Sequence, residues 1–198
     1  MEEVPSLNEA LKVRLERFDR LLQKAPFRAA GWKSDEARWD QGVMDSVIAT
    51  ERYPTLFPTQ GSWLDVGSGN GLNGIPLSCL FPDLLPTFVE RGKKRAEWLR
   101  ETVSKMDLRG DVVCEDVRNL PKRLKGRFDL VTARALAPPV EAAKWLWPFV
   151  RKGGFLILFA GGSSPPPLLP VKGVAYPYSC NGGAPRALLL WAQSQTPN

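Results

Sequence analysis

The chain contains no histidine. That removes the side chain most often used as a general base near neutral pH, and the commonest ligand of catalytic zinc. Cysteine is scarce. Cys79, Cys114 and Cys180 are odd in number, far apart and without metal-site spacing. This pattern gives neither a disulfide scaffold nor a thiolate metal site, and reduced thiols of a cytoplasmic protein are expected. No apolar run is long enough to span a bilayer. The first residues, Met1-Glu2-Glu3-Val4-Pro5, are acidic rather than signal-like, so neither export nor a membrane partner is expected. Acid is in deficit against base, 21 to 27, and the net charge of +6 permits a polyanionic partner such as RNA without requiring one. A length of 198 residues suits one domain with a full core and a small appendage, and a monomer is expected.

What is present centres on Trp63-Leu64-Asp65-Val66-Gly67-Ser68-Gly69-Asn70-Gly71, followed by Leu72-Asn73-Gly74-Ile75-Pro76-Leu77. An apolar strand ends in an acid, a glycine turn follows, and a helix opens. Glycines allow positive φ and close approach of a ligand, and helix N-termini carry unpaired N–H groups. Together they form a nucleotide cradle at the carboxyl end of a parallel strand. Gly69, Gly71 and Gly74 spell the dinucleotide string G-x-G-x-x-G. The same residues also read D-x-G-x-G-x-G from Asp65, the pattern of S-adenosyl-L-methionine sites. An acid there suits the amino group of the methionine moiety and would repel a pyrophosphate. A dinucleotide site and a purely structural turn remain the alternatives.

Along the chain, apolar residues at helical spacing predict a basic amphipathic helix over 7–24, ended near Pro26. A second helix is predicted over 34–50 with Ser34 as its N-cap. Strands are then predicted over 62–66, 87–90, 111–114, 127–133 and 155–159, the last entered through a Gly153-Gly154 turn. Helices over 73–81, 92–106 and 138–150 alternate with them. This alternation predicts an α/β fold with a doubly wound, mostly parallel sheet. After a Gly/Ser/Pro-rich loop over 161–170, strands over 174–178 and 187–192 flank Asn181-Gly182-Gly183, which predicts an antiparallel C-terminal hairpin. Residues 1–60 are expected to form a helical extension packed on a cofactor-binding domain of 61–198.

Candidate site residues gather at the strand ends. Gly67, Ser68, Gly69, Gly71 and Leu72 form the turn beside Asp65. Glu90, at the end of the second strand, is placed to accept from ribose hydroxyls, with Arg91 beside it. Asp116 and Val117 follow the third strand, where an acid meets an adenine amino group. Lys93, Lys94 and Arg95 make a basic cluster for RNA phosphates, at the helix end where cations are least favoured. Arg134, just past the fourth strand, sits where this fold faces the transferable methyl and is the candidate catalytic, target-binding and cofactor-contacting residue; a structural salt bridge is its alternative. The run Ala137-Pro138-Pro139-Val140 lacks the acid and aromatic of the amino-group methylase box, and no Pro-Cys nucleophile occurs. An acceptor with an exposed lone pair, such as guanine N7, needs neither. Catalysis there reduces to alignment.

These residues resemble the glucose-inhibited division protein B family, bacterial methyltransferases of guanine N7 in small-subunit (16S) ribosomal RNA. The resemblance rests on Leu64 through Leu77, on Gly92-Lys93-Lys94-Arg95 and Trp98-Leu99-Arg100, on Phe128-Asp129-Leu130-Val131-Thr132-Ala133-Arg134-Ala135, on Met44-Asp45-Ser46-Val47 and on Arg186-Ala187-Leu188-Leu189-Leu190. It implies a Rossmann-like methyltransferase fold, S-adenosyl-L-methionine as cofactor, no metal, and 16S ribosomal RNA or the small subunit as partner. Three features depart from the family. Gln41 or Gly42 stands near where a histidine usually precedes the Asp-Ser pair. Ala25 to Trp32 stands where an Asn-Leu-Thr segment is usual, and Ala160 stands where the fifth strand usually ends in lysine. A same-fold methyltransferase with another acceptor, and a catalytically silent binding protein, are the competing functions.

Overall fold

The computed structural model describes residues 8–27, 32–162, 171–180 and 184–193. Among the described residues, seven strands form one sheet: β1 (Gln60–Val66), β2 (Asp83–Val89), β3 (Asp111–Val113), β4 (Phe128–Arg134), β5 (Val150–Gly161), β6 (Val174–Tyr178) and β7 (Arg186–Ala192). Their order is β3-β2-β1-β4-β5-β7-β6. The first five run parallel, and β7 pairs antiparallel with both β5 and β6. The fold class expected from the sequence is therefore observed, hairpin strands included. The Asn181-Gly182-Gly183 turn, the Arg28–Gly31 part of the departing segment, residues 1–7 and most of the 161–170 loop lie outside the described residues.

Central strands are covered on both faces. Trp63 packs with Ala49 and Leu77 on one side, whereas Leu64 and Val66 pack with Ala142 and Leu146 on the other. Such double burial explains why these strands read as apolar runs rather than as alternation. Helix α6 (Pro139–Leu146) covers the second face. The first is covered by α4 (Gly74–Leu80), α5 (Lys93–Lys105) and the N-terminal helices. Helix α1 (Glu9–Gln23) starts where the Asn8 side chain accepts from the Leu11 N–H at 2.8 Å, and it buries Leu15, Phe18 and Leu22. Those residues share one apolar cluster with Ile75, Phe88 and Leu99, so the N-terminal helix and the sheet domain have a common core.

Three expectations change. The helix over 34–50 is not continuous: α2 (Asp35–Arg38) passes into a π-helical turn (Trp39–Val43) and then α3 (Met44–Arg52). Just before the wide turn, Arg38 forks onto Asp19 of α1, with Nε 2.7 Å from Oδ1 and Nη2 2.9 Å from Oδ2. Such turns recur at functional sites. Gly153-Gly154 is not a turn before the fifth strand but lies inside β5, where the register with β4 slips between Phe128 and Leu130. Strand β2 begins four residues earlier than expected, and Glu90 falls just past its end, while Arg134 is the last residue of β4 rather than the first beyond it.

Candidate active site

The turn after β1 is anchored from both sides. The Gly67 and Ser68 N–H groups donate to the Val89 carbonyl at 2.8 and 3.1 Å, and the Ser68 hydroxyl donates to the Asp65 carbonyl at 2.8 Å. Gly71 has φ +72, and a Cβ there would lie 2.5 Å from Ile75 Cγ1. Gly74 is required by close approach instead: its Cβ would lie 2.4 Å from Phe88 and 2.8 Å from Asp65 Oδ2.

Asp65 is fully buried. Its Oδ1 accepts from Thr132 Oγ1 at 2.7 Å and from Asn73 Nδ2 at 3.1 Å. Thr132 in turn accepts from Trp63 Nε1 at 2.8 Å, so the carboxyl is held by a chain of fixed donors. Oδ2 has no hydrogen-bond partner. Burial raises the carboxyl pKa against the lowering effect of Thr132, Asn73 and Ser68. A buried acceptor left unsatisfied is costly and calls for a donor.

Glu90 is nearly buried and spans the loop: Oε2 accepts from Gly69 N at 2.9 Å and Oε1 from Gly92 N at 2.6 Å. Its first task is thus to hold the glycine turn, although a carboxylate has lone pairs to spare for a hydroxyl. Asp116 caps the short turn Val117–Asn119 through Arg118 N. It also takes a fork from Arg118, with Nε at 2.8 Å and Nη2 at 2.7 Å. Those bonds hold its carboxyl well below the ordinary range. Arg118 lies 5.3 Å over the Trp145 ring.

Three cavities meet at the end of β4. One of about 230 Å³ runs between Gly67, Glu90, Arg91, Asp116, Val117 and Trp145. A second, of about 320 Å³, is walled by Asp65, Ser68, Gly69, Leu72, Trp32 and Arg134. A third, of about 220 Å³, lies between Leu136, Pro139, Phe159, Ala160 and the arginines 134 and 186. Ala135 lines all three and has a φ of +51, a left-handed conformation uncommon outside glycine.

The structure thus brings together most of the residues singled out from sequence and revises the place of three. Gly71 walls none of these cavities and contributes turn geometry. Arg95 is exposed on the first turn of α5 like Lys93 and Lys94, but unlike them it lines both the first and the second cavity. Arg134 is already engaged. Its Nη2 donates to the Gln41 carbonyl at 2.7 Å, and its Nη1 lies 3.3 Å from the Gly42 carbonyl and 3.1 Å from Asp45 Oδ2. The salt-bridge alternative is therefore realised, though the side chain still walls two cavities.

Asp45 had no assigned role in the sequence, yet it is the hub of this region. It is fully buried, and besides Arg134 it meets Tyr178 Oη at 3.1 Å, Cys180 Sγ at 3.0 Å and Arg186 Nε at 3.0 Å. One carboxylate joins α3, β4 and the C-terminal hairpin. The available signal was an acid between Met44 and Val47 on a core-facing helix, since buried acids need partners. Thr132 and Asn73 were missed because ordinary polar residues carry no motif. Among the described residues no group of three or more His, Cys, Asp or Glu is placed to hold a metal, and no helix is long and apolar enough to cross a membrane.

Comparison with known proteins places these features in a family. The chain is 35% identical over 129 residues to ribosomal RNA small subunit methyltransferase G of Leuconostoc mesenteroides, covering 63% of this chain and 54% of that protein. It is 32% identical over 157 residues to the protein of that name from Rhodopseudomonas palustris, covering 77% and 69%. The chain spans about half the length of several of the curated relatives it matches. In fold it resembles a putative S-adenosyl-L-methionine-dependent methyltransferase of Methanococcus maripaludis, with a TM-score of 0.59 at 15% identity over 100% of this chain and 99% of that one. The family described as GidB, rRNA small subunit methyltransferase G, matches residues 15–165, and the chain belongs to that family.

Proposed function

We propose that this protein is an S-adenosyl-L-methionine-dependent methyltransferase that modifies N7 of a guanine in 16S ribosomal RNA of the small subunit. The observation that carries the cofactor reading is the buried Asp65 carboxylate, whose Oδ2 lacks a partner in the cavity beside the glycine turn. An ammonium would satisfy it; a pyrophosphate would be repelled by it and by nearby Glu90. The adjoining cavity offers what an adenosine needs: Glu90 for ribose hydroxyls, the Asp116 and Val117 turn for the base edge, and Arg91 at the rim. When bound, the cofactor supplies an activated methyl on a sulfonium.

The chain's own residues then bind and orient. Gly67, Ser68, Gly69 and Leu72 shape the cofactor wall, and Gly71 fixes the turn behind it. Arg134, clamped by Gln41, Gly42 and Asp45, holds the end of β4 between the cofactor cavities and the third cavity, where the acceptor enters. Guanine N7 carries a free lone pair, so a site without histidine or a nucleophilic cysteine suffices, and alignment supplies the rate. Exposed Lys93 and Lys94 are the proposed phosphate contacts. We assign residues 1–60 to an extension packed on a methyltransferase domain of 61–198, acting in the cytoplasm.

The test is methyl transfer from labelled S-adenosyl-L-methionine to undermodified small subunits and to their extracted RNA, with identification of the labelled nucleoside. Label in 7-methylguanosine is the expected result. Cofactor binding with no label in RNA would overturn the acceptor and leave the cofactor reading standing.

A further inference from the structure

The cavity that contains Asp65 also holds an unpartnered donor. Trp32 lines it, and the indole Nε1 is buried without a hydrogen-bond partner. The two groups are of opposite kind: Asp65 Oδ2 only accepts when ionised, and an indole N–H only donates. They do not bond each other. Arg95 brings a cation to the same cavity. The cavity of about 320 Å³ thus has unsatisfied acceptors in Asp65 Oδ2 and Asn73 Oδ1, an unsatisfied donor in Trp32 Nε1 and the guanidiniums of Arg95 and Arg134 in its walls, a set complementary to a zwitterion.

The position of the indole is built into the fold. Gly42, in the π-helical turn, lies beneath it, and a Cβ at that position would sit 3.1 Å from Trp32 Cζ2. The carbonyl of Gly42 lies 3.3 Å from Arg134 Nη1, so the floor beneath the ring is fixed from the β4 side. A bulky aromatic thus stands at the cavity wall in the segment where this sequence departs from its family.

We infer that Trp32 donates its indole N–H to the carboxylate of the amino-acid moiety held in this cavity, while Asp65 takes the ammonium and Arg95 adds charge on the carboxylate side. The inference rests on the cofactor reading above and adds to it the residue that reads the acid end. Trp32 therefore discriminates ligands that carry the amino-acid tail from ligands that end at the thioether.

Calorimetric titration of the full chain tests this, using S-adenosylhomocysteine and 5′-methylthioadenosine as probes, the second lacking the amino-acid tail. In Trp32→Phe, which keeps a ring on Gly42 but removes the donor, the homocysteine compound should bind about tenfold more weakly, the loss of one hydrogen bond to a charged acceptor. The methylthioadenosine affinity should stay within about twofold, which also shows that the variant has folded. Equal affinity of wild type and variant for S-adenosylhomocysteine would overturn the role of Trp32. Equal weakening of both ligands would overturn it too, because the ring would then act by shape alone. Failure of the wild-type chain to bind either probe would overturn the cofactor reading itself, and this inference with it.

Discussion

Replacing Asp65 with Asn should leave the free protein at least as stable as wild type and remove most of its response to cofactor. In the free protein, burial holds the Asp65 pKa above its ordinary 3.8, so the charged form is the costly one. Between 3.8 and the raised value the folded state keeps a proton that the unfolded state has lost. Stability therefore falls as pH rises through that window, and the cost is fully present above it. Asn keeps an oxygen for Thr132 and Asn73 and carries no charge into the core. The same change deprives a bound ammonium of its carboxylate. A hydrogen bond to a charged group is worth ~1.5–3 kcal/mol, so affinity should drop roughly ten- to hundredfold. At ligand near 100 times the wild-type Kd, the wild type gains about 2.7 kcal/mol of stability and the variant only ~0.4–1.4 kcal/mol. At ~2–4 °C per kcal/mol for a chain of this size, wild-type Tm should rise by about 5–11 °C and the variant's by half of that or less. Thermal melts with and without S-adenosylhomocysteine measure both quantities. A variant that melts lower when free and still shows the full ligand shift would refute the reasoning.

Asp45→Asn leaves the partly buried Arg134 and Arg186 without their shared carboxylate, and denaturant titration should show a loss of ~2–4 kcal/mol, below the full buried-pair range because solvent reaches both arginines; an unchanged midpoint would mean that solvent already screens the hub. Gly74→Ala forces a Cβ against Phe88 and Asp65. It should cost ~1–3 kcal/mol and also weaken cofactor binding, as melts and titrations would reveal together. Arg134→Lys keeps the charge but cannot hold Gln41, Gly42 and Asp45 at once. Labelled-methyl transfer should fall by roughly 100-fold with KM for cofactor little changed, and wild-type turnover would remove Arg134 from the site.

The sequence alone determined the parallel sheet, the glycine turn and the acids at the strand ends. These are local signals: apolar strand, glycine and acid follow one another within a few residues, and strand–helix alternation has only a few topological solutions. It also carried the family, through the Asp65 to Leu77 string and the strand ending in Arg134. It fixed less of the edges. The π-helical turn at Trp39–Val43 reads as plain helix, because periodicity barely registers one extra residue per turn, and Gly153-Gly154 reads as a turn although β5 runs through it. Only the tertiary structure decided what each charge does. Glu90 clamps loop amides, Asp116 is taken by Arg118, and Arg134 is held by an N-terminal segment some ninety residues away. Asp45 becomes the centre of a buried hub because helix, strand and hairpin deliver Arg134, Tyr178, Cys180 and Arg186 to it. Pairing of buried charges depends on which chain segments meet in space, and no spacing along the sequence encodes that.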